Sequence, residues 1–252
     1  MPFAEAALSC DSFLDGRLRI LQPVQGYRAA TDPVLLAAAV DATPGDSVLE
    51  LGCGAGAALL SLALRVPELA LAGVERQADY AELARRNAAA NGIAITVWHS
   101  DLAALPAEVR AQNFDHVLAN PPYYAAAGTP ARDPGRAAAL QEATPLSVWI
   151  DAGLRRLRAG GWLTLILRTD RLPAVLSALD GRAGAVSVRP LASRAGRDAG
   201  GVLIRARKGA RAPFRLLAPL VLHSGPAHLR DGDDFSPEAR AILRDAAPIR
   251  WE

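Results

Sequence analysis

Lysine is nearly missing from this chain of 252 residues: Lys208 is the only one, and every other long-chain cation is arginine. The net charge is only +2, so composition alone selects no polyanionic partner. The arginine bias reflects either genome composition or a use for bidentate phosphate contacts. Cysteine is as scarce. Cys10 and Cys53 supply neither a disulfide framework nor a metal cluster, so a reducing cytoplasm is the expected compartment and no metal is expected. No apolar run approaches the roughly 20 residues needed to cross a bilayer, and the start, Met1 to Glu5, lacks the basic stretch and apolar run of a secretory signal. Neither a membrane span nor export is expected. His99, His116, His223 and His228 show no ligand spacing, and the four tryptophans are dispersed, which suits packing. What the chain has in quantity is apolar surface. With 51% hydrophobic residues it can build a large core, and its length suits one α/β domain.

Residues 1–12 carry no periodic pattern and read as a mobile lead-in. Phe13 to Leu21 reads as a short hairpin turning on Asp15-Gly16. In Thr31-Asp32-Pro33, Asp32 suits a helix cap and Pro33 a first helical position, with Val34, Leu35, Ala38 and Ala39 as an apolar side. From Ser47 strands and helices alternate. Strands are expected at Val48–Leu51, Leu69–Val74, Ile93–Trp98, Phe114–Ala119 and Trp162–Leu167. Helices are expected after Gly56 to about Arg65, from Gln77 to Asn91, over Leu146–Arg158 and near Arg171–Leu179. That alternation predicts a doubly wound, mainly parallel sheet. Val186–Val188 and Val202–Arg207 read as an antiparallel closing pair separated by a loop at 190–200. Ser236 to Asp245 reads as a helix able to pack back on the sheet. With no repeat and no linker, one domain is expected, comprising a lead-in (1–45), a core (46–209) and an extension (210–252).

The chemistry concentrates at the ends of the expected strands. Gly52-Cys53-Gly54-Ala55-Gly56 follows the first strand, preceded by Glu50, and such a turn lets a ligand approach backbone amides at a helix start. Glu75 closes the second strand, where a carboxylate can accept hydrogen bonds from two ribose hydroxyls. Gly52, Gly54 and Ala57 also satisfy a dinucleotide-binding pattern, which makes an oxidoreductase a rival at this point. Asp101 follows the third strand, placed to accept from an adenine amino group. Asn120-Pro121-Pro122-Tyr123 follows the fourth. The two prolines cannot extend a ladder and hold Asn120 and its neighbours in fixed, extended geometry. That segment has no task in hydride transfer.

In this order, these residues closely resemble the Rossmann-like S-adenosylmethionine-dependent methyltransferases that act on planar nitrogen. The resemblance covers roughly Gly26 to Leu167. It implies a seven-stranded sheet with an antiparallel last strand, and S-adenosylmethionine as cofactor. Gly52, Cys53, Gly54 and Gly56 would surround the methionine part, with Glu50 beside them. Glu75 and Arg76 would hold the ribose, and Asp101 with Leu102 the adenine. Tyr27, Thr31 and Asp32 of the lead-in, with Asn120, would complete the cofactor site. The Asn120 side-chain oxygen and the Pro121 carbonyl would accept the two N–H bonds of the target amine while Tyr123 packs on its plane. Pro122 and Tyr124 would border the substrate.

The lead-in Gly26-Tyr27-Arg28 and Thr31–Leu36, and the late segment Val202–Gly209, are similar to bacterial tRNA adenine-N(6) methyltransferases acting on a valine tRNA. The expected partner is therefore nucleic acid, with tRNA first. Arg132 and Arg136 in the loop after Tyr123, and Arg194 and Arg197 between the last strands, could frame a phosphate-binding rim. Enzymes methylating release-factor glutamine or another RNA or DNA base share the core motif and remain alternatives. The glutamine enzymes usually carry a sizeable helical domain ahead of the core, where 47 residues precede Val48 here. A cofactor-binding protein without catalysis is the alternative of another class, against which the intact Asn120–Tyr123 motif argues.

Overall fold

A computed structural model describes residues 3–122, 144–227 and 233–252. Strand β1 (Leu8–Phe13) pairs antiparallel with β2 (Leu18–Pro23). Between them Leu14, Asp15 and Gly16 all take positive φ, and the Gly16 amide bonds the Phe13 carbonyl at 3.1 Å. The turn is where the Asp-Gly pair predicts it, but the hairpin is longer. Residues 8–12, expected to be a mobile lead-in, form a strand. Their alternation is hidden because Ser9 and Asp11 bond Arg28 and Gln22 rather than facing water.

Helix α1 (Asp32–Ala39) begins one residue earlier than Asp32 as its cap would require. Thr31 occupies the cap position, without a side-chain bond, and Asp32 lies in the first turn, where its charge suits the helix dipole. Pro33 sits at the helix start as expected. Every residue from Pro33 to Ala39 is buried, so α1 has no solvent face; it is wedged between the sheet and two other helices.

The sheet is built from β3 (Ser47–Leu51), β4 (Ala70–Glu75), β5 (Thr96–His99), β6 (Phe114–Ala119), β7 (Leu157–Arg168), β8 (Ala183–Ala192) and β9 (Ala199–Lys208). All seven expected strands are present, in the spatial order β8-β9-β7-β6-β3-β4-β5. Strands β3 to β7 are parallel, and β9 runs antiparallel between β7 and β8. Two short strands, β10 (Arg215–Leu216) and β11 (Leu220–Val221), add to β8 and bring the sheet to nine. These two come from the extension, whose two-residue pairings leave no periodic signal.

Neighbouring strand residues point to opposite faces. Val48 and Leu118 pack on one face with α1, α2 (Ala57–Arg65) and α3 (Ala78–Ala90). Leu49 and Val117 pack on the other with α5 (Leu146–Arg156) and α6 (Leu172–Leu179). A short α4 (Ala107–Arg110) precedes β6. Helix α7 (Pro237–Asp245) starts at a Ser236 cap and returns Ile242 and Leu243 to the first face. The Trp251 indole then donates to the Ala39 carbonyl at 2.9 Å, and the Arg205 guanidinium lies between the Trp162 and Trp251 rings. The tail thus packs back as expected.

Several boundaries differ from expectation. The β5 strand begins at Thr96 instead of Ile93, since Ile93 and Ile95 are used in packing ahead of it. The β7 strand begins directly where α5 ends, through Gly160 and Gly161; Gly161 has no room for a side chain beside the Asp115 carbonyl. The β8 and β9 strands are longer than the apolar cores that announced them, which shortens the loop between them to residues 193–198.

Register decides what the fold is for. Leu51 lies opposite Val74 on one side and Ala119 on the other, so β3, β4 and β6 end level. The order of connection reverses between β3 and β6, and that point in an open sheet opens a crevice.

Candidate active site

The crevice at the ends of β3, β4 and β6 is formed by the segments that the sequence singles out. From the first come Glu50, Gly52, Cys53 and Gly54; from the second Glu75 and Arg76; from the third Asp101 and Leu102; from the fourth Asn120, Pro121 and Pro122. Tyr27, from the loop between β2 and α1, forms part of the wall.

The glycine turn is tied to β4: the Gly52 and Cys53 amides both donate to the Val74 carbonyl, at 2.8 and 3.0 Å. Gly52 has φ +66°, and a Cβ there would lie 2.5 Å from the Trp149 ring. Gly54, at φ +53°, has only Tyr27 near, at 4.0 Å. Gly56 caps α2 and backs onto Ala84 of α3, away from the crevice. Thr31 and Asp32 do not line the crevice. The Cys53 side chain fills the space over Gly73, where an added Cβ would lie 2.7 Å from Sγ, and burial pushes its thiol well up. It is a packed, inert thiol.

The carboxylates are held differently. Glu75 is 7% exposed and accepts from the Gly54 amide at 2.9 Å and the Gln77 amide at 2.8 Å. Burial raises its pKa and those amides oppose the rise. Glu50 is 3% exposed, and its Oε2 has no hydrogen-bond partner among the described residues. Burial pushes it well above the usual carboxylate range, against a backbone hydrogen bond from Leu59, with Glu75 adding to the rise. Asp101 accepts from the Ala103 amide at 2.8 Å, which fixes its side chain at the mouth. His99 bonds the Arg76 carbonyl at 3.0 Å.

Asn120 is half-buried at the end of β6, followed by buried Pro121. Its Nδ2 donates to the Tyr27 hydroxyl at 3.4 Å, and its Oδ1 is enclosed without a partner among the described residues. Tyr123, Tyr124, Arg132 and Arg136, and with them His228, lie outside the described residues. Arg194 and Arg197 stand at the same sheet edge, since β8 runs parallel to β7. Their situations differ. The Arg194 guanidinium is occupied by Asp234 at 2.5 Å and by the Ser224 and Gly225 carbonyls, while Arg197 is exposed.

Three wall residues carry no motif and escaped the sequence reading. Trp149 of α5 is pressed onto Gly52 and donates to the Thr144 carbonyl at 3.2 Å. Gln22 and Tyr80 complete the side towards the hairpin. Only the tertiary packing of α5, β2 and α3 brings them there.

The pattern defining the methyltransferase small domain matches residues 30–171, more than half of the chain. A tRNA1(Val) (adenine(37)-N6)-methyltransferase from Aeromonas hydrophila is 32% identical over 188 residues, 72% of this chain and 77% of that protein. A release factor glutamine methyltransferase from Chlorobaculum tepidum is 34% identical over only 92 residues, 35% of this chain and 31% of that one. Among solved structures, a predicted O-methyltransferase from Agrobacterium tumefaciens superposes with a TM-score of 0.70 at 29% identity, covering 86% of this chain and 98% of that one. With the crevice at the sheet's switch point and these matches, the chain belongs to the methyltransferase small domain family and is an S-adenosylmethionine-dependent methyltransferase.

Proposed function

We propose that this enzyme methylates the exocyclic amine of an adenine in tRNA. One observation carries the reading: an amide oxygen, Asn120 Oδ1, enclosed at the end of β6 with no partner among the described residues. A buried acceptor left unsatisfied costs roughly 1–3 kcal/mol, so it is kept for a donor that arrives with substrate.

The crevice suits the cofactor. Glu75 is pinned by two backbone amides and keeps lone pairs for a ribose diol. The backbone at Gly54 can be approached closely because no side chain stands there. Asp101 and Leu102 border the place for the adenine, and Glu50 Oε2 is a second enclosed acceptor. When bound, S-adenosylmethionine would supply an electrophilic sulfonium methyl group with a neutral thioether as its leaving group.

The rest is asked of the protein. An adenine amine is a poor nucleophile because its lone pair is delocalised into the ring. Asn120 Oδ1 and the Pro121 carbonyl accept its two N–H bonds, which draws the nitrogen toward a pyramidal form and exposes the lone pair. Tyr123 packs on the base, a contact of about 1–3 kcal/mol. Holding nitrogen in line supplies most of the rate, as effective molarity. One N–H proton passes to water after the new bond forms, and no general base is assigned. Reaching the site requires a base unstacked from its loop. With nucleic acid as partner, Arg197 is an available cation at the rim, and the cytoplasm is the place of action.

The extent of similarity favours tRNA over protein, since the Aeromonas hydrophila tRNA methyltransferase match spans 72% of this chain, against 52% for a release factor glutamine methyltransferase from Geobacter sulfurreducens. The Asn120–Tyr123 motif would serve a glutamine amide equally well, so the assay must separate the two. The enzyme is incubated with labelled cofactor and, in parallel, unmodified tRNA, duplex DNA or a release factor, and the digests are analysed. Label in N6-methyladenosine from tRNA is expected. Label confined to protein would overturn the assignment.

A further inference from the structure

We propose that Tyr27 is a positioning residue: its hydroxyl orients the Asn120 amide so that Oδ1, not Nδ2, faces the target nitrogen. This deepens the function proposed above and rests on it.

An asparagine amide has two ends of opposite character. Rotated by half a turn, Asn120 would present N–H donors to the N–H donors of the incoming amine, and the acceptor pair would be lost. Something must therefore hold Nδ2 on the other side. The structure places the Tyr27 hydroxyl there, 3.4 Å from Nδ2.

A phenol can also donate, which would favour the wrong rotamer, so its own hydrogen must point elsewhere. The carboxyl groups of Asp32, Glu50 and Glu75 and the Tyr80 phenol act on this hydroxyl. Their field draws the hydrogen toward them and leaves a lone pair toward Asn120. Burial, followed by those same charges, raises the Tyr27 pKa, so the group stays a neutral phenol throughout the working range.

The ring is braced accordingly. Gln22 Nε2 donates to the Ala29 carbonyl at 3.1 Å, and the Ala29 amide returns a bond to Gln22 Oε1 at 2.6 Å. The Tyr80 hydroxyl donates to the Tyr27 carbonyl at 2.9 Å. Arg28 is held by Asp11, Ser9 and the Pro23 carbonyl. The hairpin thus fixes one hydroxyl against the acceptor side of the crevice. That is a reason for the lead-in to exist in front of a sheet that already holds a cofactor site.

Tyr27→Phe removes the hydroxyl and keeps the ring. Single-turnover transfer to an unmodified tRNA transcript is measured at saturating cofactor, beside calorimetry with S-adenosylhomocysteine and the hydrogen exchange of the Asn120 side-chain amide in labelled protein. The variant is expected to slow transfer by about 10- to 100-fold, the scale of a misplaced reacting group. The dissociation constant of S-adenosylhomocysteine and the KM for tRNA should stay within about twofold. Exchange of the Asn120 amide protons should accelerate as their acceptor disappears. Wild-type turnover in Tyr27→Phe, or unchanged exchange, overturns the proposal, as does loss of cofactor affinity with turnover kept. Asn120→Ala separates the two layers. If it abolishes transfer while Tyr27→Phe does not, the function stands and the role of Tyr27 falls; if Asn120→Ala transfers at the wild-type rate, both fall.

Discussion

Gly52 and Gly54 share a turn, a sign of φ and a wall of the crevice, yet the geometry assigns them different penalties for the same substitution. Gly52→Ala must place a Cβ 2.5 Å from the Trp149 ring, and Trp149 is 8% exposed and cannot swing away. Holding a non-glycine residue in the left-handed region costs about 1–2 kcal/mol, and forcing extra volume into a packed site adds about 1–3 kcal/mol. The sum is a destabilisation of roughly 2–5 kcal/mol. Gly54→Ala carries the first cost alone, because the nearest atom is 4.0 Å away; its added methyl stands instead where the cofactor is proposed to approach the backbone. Urea unfolding should therefore separate the two variants by at least about 1 kcal/mol, the lower bound of overpacking, with Gly52→Ala the weaker fold. Calorimetry with S-adenosylhomocysteine should single out Gly54→Ala among the folded variants. Combining Gly52→Ala with Trp149→Leu opens the space and should recover part of the lost stability. Equal stabilities for the two single variants, or no recovery in the double variant, would refute the close approach of Trp149 to the turn.

Further expectations follow from groups with unusual surroundings. Burial raises the folded pKa of Glu50, so its charge opposes folding at every pH above the usual carboxylate range, and the penalty vanishes only when both states are protonated. Glu50→Gln should accordingly gain stability at pH 8 and little below pH 4.5, measured by urea unfolding, while methyl transfer falls. A loss of stability at pH 8 would contradict the sign. Asn87 is fully buried and bonds the Leu21 amide, the Leu21 carbonyl and the Ala55 carbonyl. Asn87→Ala strands those groups and should cost about 3 kcal/mol by the same measurement, at 1–3 kcal/mol for each unsatisfied group with some relaxation. Arg194→Ala should speed proteolysis near residues 222–236 with transfer to tRNA kept within about twofold, because its partners lie in that segment. Weakened tRNA binding with unchanged proteolysis would return Arg194 to the substrate rim.

The strand ends were readable because their residues are fixed by backbone needs that local sequence expresses. Positive φ asks for Gly52, Gly54 and Gly56, and a chain that must leave a ladder in extended form accommodates Pro121 and Pro122. The β6 strand, which runs from Phe114 to Ala119 ahead of Asn120 and a proline pair, has the boundaries its residues predict. The β1 strand was opaque for the opposite reason. Its polar residues are satisfied by Gln22 and Arg28 through tertiary bonds, so they look solvated in the sequence. Helix α1 stands where the sequence places it, but its single apolar side does not hold, because burial on every side removes the periodicity that marks a helix face. Arg194 shows the limit for charges, since a rim cation and a paired anchor have the same letter.

The coupling between the two halves of the site was beyond sequence altogether, and it explains why the hairpin is longer than its turn suggested. The glycine turn and Glu75 are the proposed holders of the cofactor, but nothing in them locates an acceptor for a second molecule. The hairpin supplies that location through two buried amides. Asn87 fastens β2 to the glycine turn through Ala55, and Gln22 fastens β2 to the loop that carries Tyr27. The first amide sets the hairpin's height above the turn and the second sets where Tyr27 meets Asn120. Neither forms a motif, because each bonds backbone that any sequence possesses. A fault in either should therefore reach transfer before it reaches cofactor binding, whose proposed contacts lie at the ends of β3 and β4, where Glu75 is held by the Gly54 and Gln77 amides.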